Sequence, residues 1–136
     1  LKVFGTGPEL KKLRSLAGGK TMFLGHVSDE EKSALYRGAI GFISPQVEDF
    51  GITIVEAMAA GRPVITFGQG GGTETVIPEI TGIHLETQSW EEIGDAIIRF
   101  DPSRFDPHTI RAHAETFSTE VFSSAFRNFI SNALPN

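Results

Sequence analysis

Glu48 and Glu56 are separated by seven residues, with Phe50-Gly51-Ile52 between them. The run from Pro45 to Ile65 has the pattern of a loop holding acids and a glycine, then a helix, a glycine stop and a buried strand. Gly51 lets the backbone approach a ligand closely. The helix beginning near Ile52 presents N–H groups that lack intrahelical partners and carry a partial positive charge. Such a helix start is an anion site, and a phosphate fits it. Glu48 sits in the loop and Glu56 about five residues into the helix, at 1.5 Å of rise per residue. The two carboxylates therefore address different parts of one ligand. Carboxylates accept strongly from hydroxyl groups, so the pair suits a molecule with sugars on both sides of a diphosphate. The same spacing also suits a loop acid and a solvated helix acid with no ligand between them.

Other chemistry is sparse. Gly70-Gly71-Gly72 reads either as a phosphate-cradling loop before a helix capped by Thr73 or as a plain turn. His26, His84, His108 and His113 contain no i, i+4 pair and have no cysteine companions, so no zinc site is expected. Without an Asp-x-Asp motif the usual ligands of a catalytic divalent ion are missing, and no metal or other cofactor is expected. Trp90 is expected to pack its helix onto the sheet.

The elements that must position these residues alternate between strand and helix, which favours an α/β fold with a mainly parallel, doubly wound sheet covered on both faces. Strands are expected at 1–4, 21–24, 39–44 and 63–67, with a weaker one at 82–85. Pro8 suits the first position of a helix over 8–16. Ser28 with Glu31 and Ser89 with Glu92 fit capping boxes that open helices over 29–37 and 90–100. After Asp101-Pro102 the strands stop, leaving two terminal helices within 103–136, at about 107–116 and 119–134. The last carries Val121, Phe122, Ala125, Phe126, Phe129 and Ile130 at helical spacing. Core packing accounts for that stripe, and docking on a further domain is the alternative.

Composition bounds the partners. A chain of 136 residues, 40% apolar and 21% charged, supports one buried core and is read as a single domain. The net charge of −5, with no run of basic residues, gives no footprint for nucleic acid. No apolar stretch approaches the ~20 residues that span a bilayer, so a soluble protein is expected. The absence of cysteine is compatible with a reducing cytosol. Leu1–Gly5 reads as a buried strand with no initiator methionine or polar leader, so the chain is expected to be part of a longer one.

The Glu-x7-Glu arrangement around Phe-Gly-Ile, followed by Glu56-Ala57-Met58-Ala59-Ala60-Gly61-Arg62-Pro63-Val64-Ile65, resembles the signature of the retaining glycosyltransferases with the GT-B fold. Nearly the whole chain shares the likeness. Gly5-Thr6-Gly7-Pro8 resembles that family's glycine turn after a strand, and Phe23-Leu24-Gly25-His26-Val27 the strand before the base pocket. Gly70 to Val76 resembles the later glycine turn, and Phe117-Ser118 the start of the returning helix. The resemblance implies that this chain is the Rossmann-like donor-binding half of a two-domain enzyme, whose N-terminal acceptor domain is not in the sequence.

The roles carried over are likewise implications of the resemblance. Glu48 would face the donor sugar's hydroxyls as the catalytic-site acid, while the N–H groups of Phe50, Gly51 and Ile52 would hold the sugar and distal phosphate. Thr53 would contact the diphosphate and Glu56 would accept both ribose hydroxyls. Gly5, Gly7 and Val27 would complete the donor site. In such enzymes the leaving diphosphate itself deprotonates the acceptor, which fits a sequence with no nucleophile paired to a base. The arginine and lysine that the family usually supplies to the diphosphate would precede Leu1, so the chain alone is expected to bind donor weakly. Asp29 and Lys32, two and five residues after Val27, resemble guanine-binding members, with Asp29 accepting the paired N–H donors of guanine. Asp29 equally suits an acid in the first turn of a capped helix, with Lys32 at the surface. GDP-mannose is the expected donor and UDP-sugars stay open.

The implied enzyme builds a glycan or glycolipid in the cytosol, with peripheral association at the inner membrane face. Another GT-B enzyme, such as a sugar phosphorylase or nucleotide-sugar epimerase, and a non-catalytic nucleotide-binding module are the rivals. A phosphorylase needs a pyridoxal lysine, and none lies between Glu48 and Gly72.

Overall fold

A computed structural model describes residues 1–134. Strands β1 (Lys2–Phe4), β2 (Met22–Gly25), β3 (Phe42–Ser44), β4 (Val64–Phe67) and β5 (Gly82–Leu85) alternate with helices. These are α1 (Leu10–Leu16), α2 (Asp29–Gly38), α3 (Ile52–Ala59), α4 (Gly71–Thr75), α5 (Trp90–Arg99), α6 (Pro107–Glu115) and α7 (Thr119–Ala133), with a 3-10 turn at Pro102–Arg104. Every strand pairing is parallel, as the βα alternation requires. The ladders are two rather than one: β1 pairs with β2, and β3, β4 and β5 form a three-stranded sheet in that order. The chain correspondingly divides into two compact units, Leu1–Leu35 and Tyr36 onward.

The first unit holds β1, α1, β2 and the start of α2. None of its residues is fully buried. The α1 helix starts two residues later than Pro8 predicts. Glu9 takes the N-cap position without a side-chain bond, and Pro8 lies in the preceding turn. The capping box at Ser28 forms in both directions: Glu31 N–H donates to the Ser28 hydroxyl, and Ser28 N–H donates to the Glu31 carboxylate at 2.8 Å.

The second unit is built around β4, all four residues of which are buried, as expected of a central parallel strand. Its side chains alternate between faces. Ile65 and Phe67 cluster with Leu85 and with Ile43, Ile83, Ile93, Ala96 and Phe100, so α5 covers this face. The α3 helix packs on β3, β4 and α6, burying Ile54, Ala57 and Met58, with Ile110 and Ala114 of α6 also buried. Its C-terminus closes in a Schellman motif. Gly61 is left-handed at φ 73°, its N–H donates to Met58 O at 2.7 Å, and Arg62 N–H donates to Ala57 O at 3.0 Å.

Three expectations about packing fail. Trp90 opens α5 but is 79% exposed, and the packing on the β4–β5 cluster is carried by Ile93, Ala96 and Phe100 instead. The stripe on α7 is not core either. None of that helix's 15 residues is buried, with Phe122 at 67% and Phe129 at 67% exposure. The box at Ser89 is half-formed. Its hydroxyl accepts from Glu92 N–H, but the Glu92 carboxylate turns to the N–H groups of Glu86 and Thr87 and to the Thr87 hydroxyl, closing the β5–α5 loop instead. These hydrogen bonds, led by that of Thr87, hold the Glu92 carboxyl below its ordinary range.

Met58→Ala should destabilise the fold by about 2–5 kcal/mol, because a fully buried side chain leaves a cavity. Phe126→Ser on the exposed stripe should change stability by no more than about 0.5 kcal/mol. Chemical denaturation of both variants measures the contrast.

Candidate functional site

The loop from Pro45 to Gly51 leaves the carboxyl end of β3, where ligands of open α/β sheets bind. It ends at Gly51, which is buried and left-handed at φ 87° and serves as the N-cap of α3. A Cβ there would meet Ile54 Cδ1 at 2.8 Å, so both the backbone angle and the space demand glycine. With no side chain at the N-cap, the helix start has no internal acceptor for its first donors. The Gly51 carbonyl accepts from Ile54 and Val55, while the N–H groups of Ile52 and Thr53 precede the first intrahelical bond. The positive end of the helix dipole falls on the same spot. Ile52 is 68% exposed, leaving this helix start open to solvent.

Glu48 and Glu56 both lie in the second unit and are half-buried, the first in the loop and the second in the second turn of α3. Gln46, two residues earlier in the same loop, donates from Nε2 to Glu48 Oε1 at 2.6 Å. Glu56 Oε2 accepts from the Tyr36 hydroxyl at 3.2 Å. Tyr36 is 4% exposed, and burial together with the Glu56 charge pushes its phenol far above the ordinary range, so it remains a neutral donor. Neither Gln46 nor Tyr36 carries a signal in the sequence that marks it for the site. The Gln46 contact depends on the path of the loop, and Tyr36 reaches Glu56 from another helix.

The glycine turn before α4 has a structural job that its sequence leaves open. Gly70 bridges Glu48 in parallel-strand fashion, and the Gly71 N–H donates to Glu48 O at 2.6 Å. A Cβ on Gly70 would sit 2.4 Å from Glu48 O, and one on Gly71 would sit 2.5 Å from Phe50 Cα. The turn is the seat of the Glu48–Phe50 loop. Thr73 is not the cap of α4; Gly70 takes that position and the Thr73 hydroxyl donates back to Gly70 O at 2.8 Å. From the other side Phe117 meets the Phe50 ring edge-on at 5.8 Å and His113 at 5.3 Å, bracing the loop from the α6–α7 corner.

The remaining candidates lie in the first unit. Gly5 is left-handed at φ 100° just after β1, and its N–H donates to Gly25 O at 2.7 Å. Gly7 accepts from Leu10 N–H through its carbonyl at the start of α1. A cavity of about 400 Å³ is lined by Leu24, His26, Val27, Glu31, Ala34 and Leu35, among others. Of the residues expected near a base it includes Val27. Asp29 and Lys32 stand outside its lining and pair with each other at 3.3 Å, the Asp29 side chain being 97% exposed. No group of three or more possible metal ligands occurs among the described residues.

The seat of the loop is directly testable. Gly70→Ala should cost about 1–3 kcal/mol of stability through a strained left-handed residue and should displace Glu48, whereas Gly94→Ala, in an exposed helix with open space, should stabilise by about 0.5–1 kcal/mol. Thermal unfolding of the two variants reads both signs.

This arrangement has counterparts in known proteins. The chain is 36% identical over 110 residues to a GDP-mannose-dependent alpha-(1-6)-phosphatidylinositol monomannoside mannosyltransferase of Mycobacterium tuberculosis, a match covering 71% of this chain and 29% of that protein. The chain thus spans less than a third of that relative's length. Sucrose-phosphate synthase from Thermosynechococcus elongatus superposes with a TM-score of 0.81 at 27% identity, over 97% of this chain and 39% of the other. HepE from Anabaena, solved in complex with UDP-glucose, superposes with a TM-score of 0.78 at 21% identity, over 96% of this chain and 40% of its own. The family model of the glycosyl transferases group 1 matches residues 1–114, and with the parallel α/β fold and the glutamate-flanked helix start this places the chain in that glycosyltransferase family.

Proposed function

We propose that this chain binds the donor of a retaining glycosyltransferase that moves a sugar from a nucleoside-diphosphate sugar to a glycan or lipid-linked acceptor. The observation that carries the reading is the uncapped start of α3 at Gly51, set between the carboxylates of Glu48 and Glu56. Exposed helix N–H groups suit a diphosphate, and flanking carboxylates suit the hydroxyls of the sugar on one side and the ribose on the other. Glu48 meets the donor sugar, held in place by Gln46. The N–H groups of Phe50, Gly51 and Ile52 hold the sugar and distal phosphate, Thr53 contacts the diphosphate, and Glu56 accepts from the ribose.

The chemical demand is stabilisation of the departing diphosphate. N–H groups already aimed at the phosphate position meet it without reorganisation during the reaction. The diphosphate oxygen then takes the acceptor's proton on the face from which it leaves, so the sugar keeps its configuration. No metal and no resident cofactor has a role in this scheme.

GDP-mannose is the proposed donor. Support comes from the GDP-mannose dependence of the mycobacterial relative and from Asp29, an exposed acceptor two residues after Val27. Gly5, Gly7, Val27, Asp29 and Lys32 complete the proposed donor set. The acceptor belongs to a further domain of a longer polypeptide, on which the exposed stripe of α7 docks. The whole enzyme works at the cytosolic membrane face. The attachment proposed is peripheral; no helix among the described residues is long and apolar enough to cross a membrane.

Calorimetric titration of the chain with GDP, UDP and ADP tests the donor. GDP should bind most tightly, and Asp29→Ala should abolish the preference; equal affinity for all three nucleotides would refute a guanine pocket in this chain. Glu56→Gln should weaken nucleotide binding by about tenfold, the loss expected for charge-assisted hydrogen bonds. Glu48→Gln should leave GDP affinity unchanged and lower sugar transfer by the full-length enzyme at least about tenfold.

A further inference from the structure

Tyr36 and Glu56 come from different helices, the last turn of α2 and the second turn of α3, and the Tyr36 hydroxyl donates to Glu56 Oε2 at 3.2 Å. The tyrosine is fixed before it makes that bond. Its ring is buried and packs edge-on against Phe42 at a centroid distance of 5.4 Å and an interplanar angle of 90°. Two χ angles locked by packing aim the hydroxyl at Glu56. A glutamate has three rotatable bonds, and each restraint on them lowers the cost of ordering the carboxylate for a ligand.

We propose that Tyr36 is a positioning residue for Glu56: its hydroxyl holds Oε2 and thereby presents the carboxylate in one orientation to a vicinal diol. This rests on the reading of Glu56 as the acceptor of the ribose hydroxyls. An ionised carboxylate offers about four lone-pair sites, so one bond from Tyr36 and two from a diol are compatible. Burial, and then the neighbouring Glu56 carboxylate, push the phenol far above its ordinary range, so it remains a neutral donor. A purely structural role differs in one respect. If Glu56 served only to satisfy a buried phenol, removing the hydroxyl would alter stability and leave ligand binding untouched.

Tyr36→Phe keeps the ring against Phe42 and deletes the donor, and thermal unfolding confirms that the variant is folded. GDP and 2′-deoxy-GDP are titrated into the unsubstituted chain, Tyr36→Phe, Glu56→Gln and the double variant. Tyr36→Phe is expected to weaken GDP by about five- to tenfold, the size of one hydrogen bond, and to shrink the preference for GDP over 2′-deoxy-GDP. In the Glu56→Gln background the same change should have no further effect, because the two residues act as a unit. If Glu56→Gln weakens GDP and Tyr36→Phe does not, the positioning role is overturned while the ribose reading stands. If Glu56→Gln itself binds GDP normally, the ribose reading falls and the proposal with it.

A second readout needs no ligand affinity. Tyr36 is the only tyrosine in the chain, so 3-fluorotyrosine incorporation labels this site alone. Its fluorine resonance should shift in Glu56→Gln; a resonance indifferent to that substitution would overturn the contact on which the proposal stands.

Discussion

Everything at the site depends on one close approach of backbone to backbone, where the Glu48–Phe50 loop rests on the glycine turn before α4. The Gly71 N–H reaches Glu48 O at 2.6 Å, with no room for a Cβ on Gly70 or Gly71. A side chain at either position would lift the loop, and with it Glu48 and the left-handed turn at Gly51. Because β3 and β4 are adjacent parallel strands, the two loops that follow them emerge side by side at the same end of the sheet. The sheet supplies the proximity and the glycines allow contact.

The α3 helix converts that contact into chemistry. Its N-terminus is left uncapped, which costs stability in an isolated helix, and its C-terminus is closed fully by the Schellman turn at Gly61. Arg111 of α6 adds a bond from Nε to Ala59 O at 3.2 Å. Burial of Ile54, Ala57 and Met58 anchors the helix, so the open end faces the site without fraying. The aromatic path from His113 through Phe117 to Phe50 ties the loop to the α6–α7 corner. The site loop is therefore held on three sides by elements far apart in sequence.

The chain belongs to the glycosyl transferases group 1. On the reading proposed above, its task is to bind, orient and stabilise a leaving diphosphate. Backbone N–H groups perform that task better than titratable side chains, since they neither change charge nor reorganise. Glu48 and Glu56 each hydrogen-bond to a neighbour, Gln46 for Glu48 and Tyr36 for Glu56.

The element order, the parallel pairing, the α3 start at Ile52 and the capping box at Ser28 were all legible in residue types and spacing, because each is a local matter of periodicity, caps and glycine. The placement of Glu48 in the loop and of Glu56 in the helix was legible for the same reason. What residue order left open was contact between elements distant in the chain. The stripe on α7 has the spacing of a core helix yet is exposed, and Trp90 opens a helix whose packing face lies elsewhere, since amphipathic spacing states which residues share a face and not what covers it. Glu92 had the spacing of a capping box but found better donors in the preceding loop. The seat formed by Gly70 and Gly71, the Gln46 and Tyr36 partners of the two glutamates, and the division of the strands into two ladders were decided by tertiary structure alone. Each depends on distances across elements, and no local pattern encodes those distances.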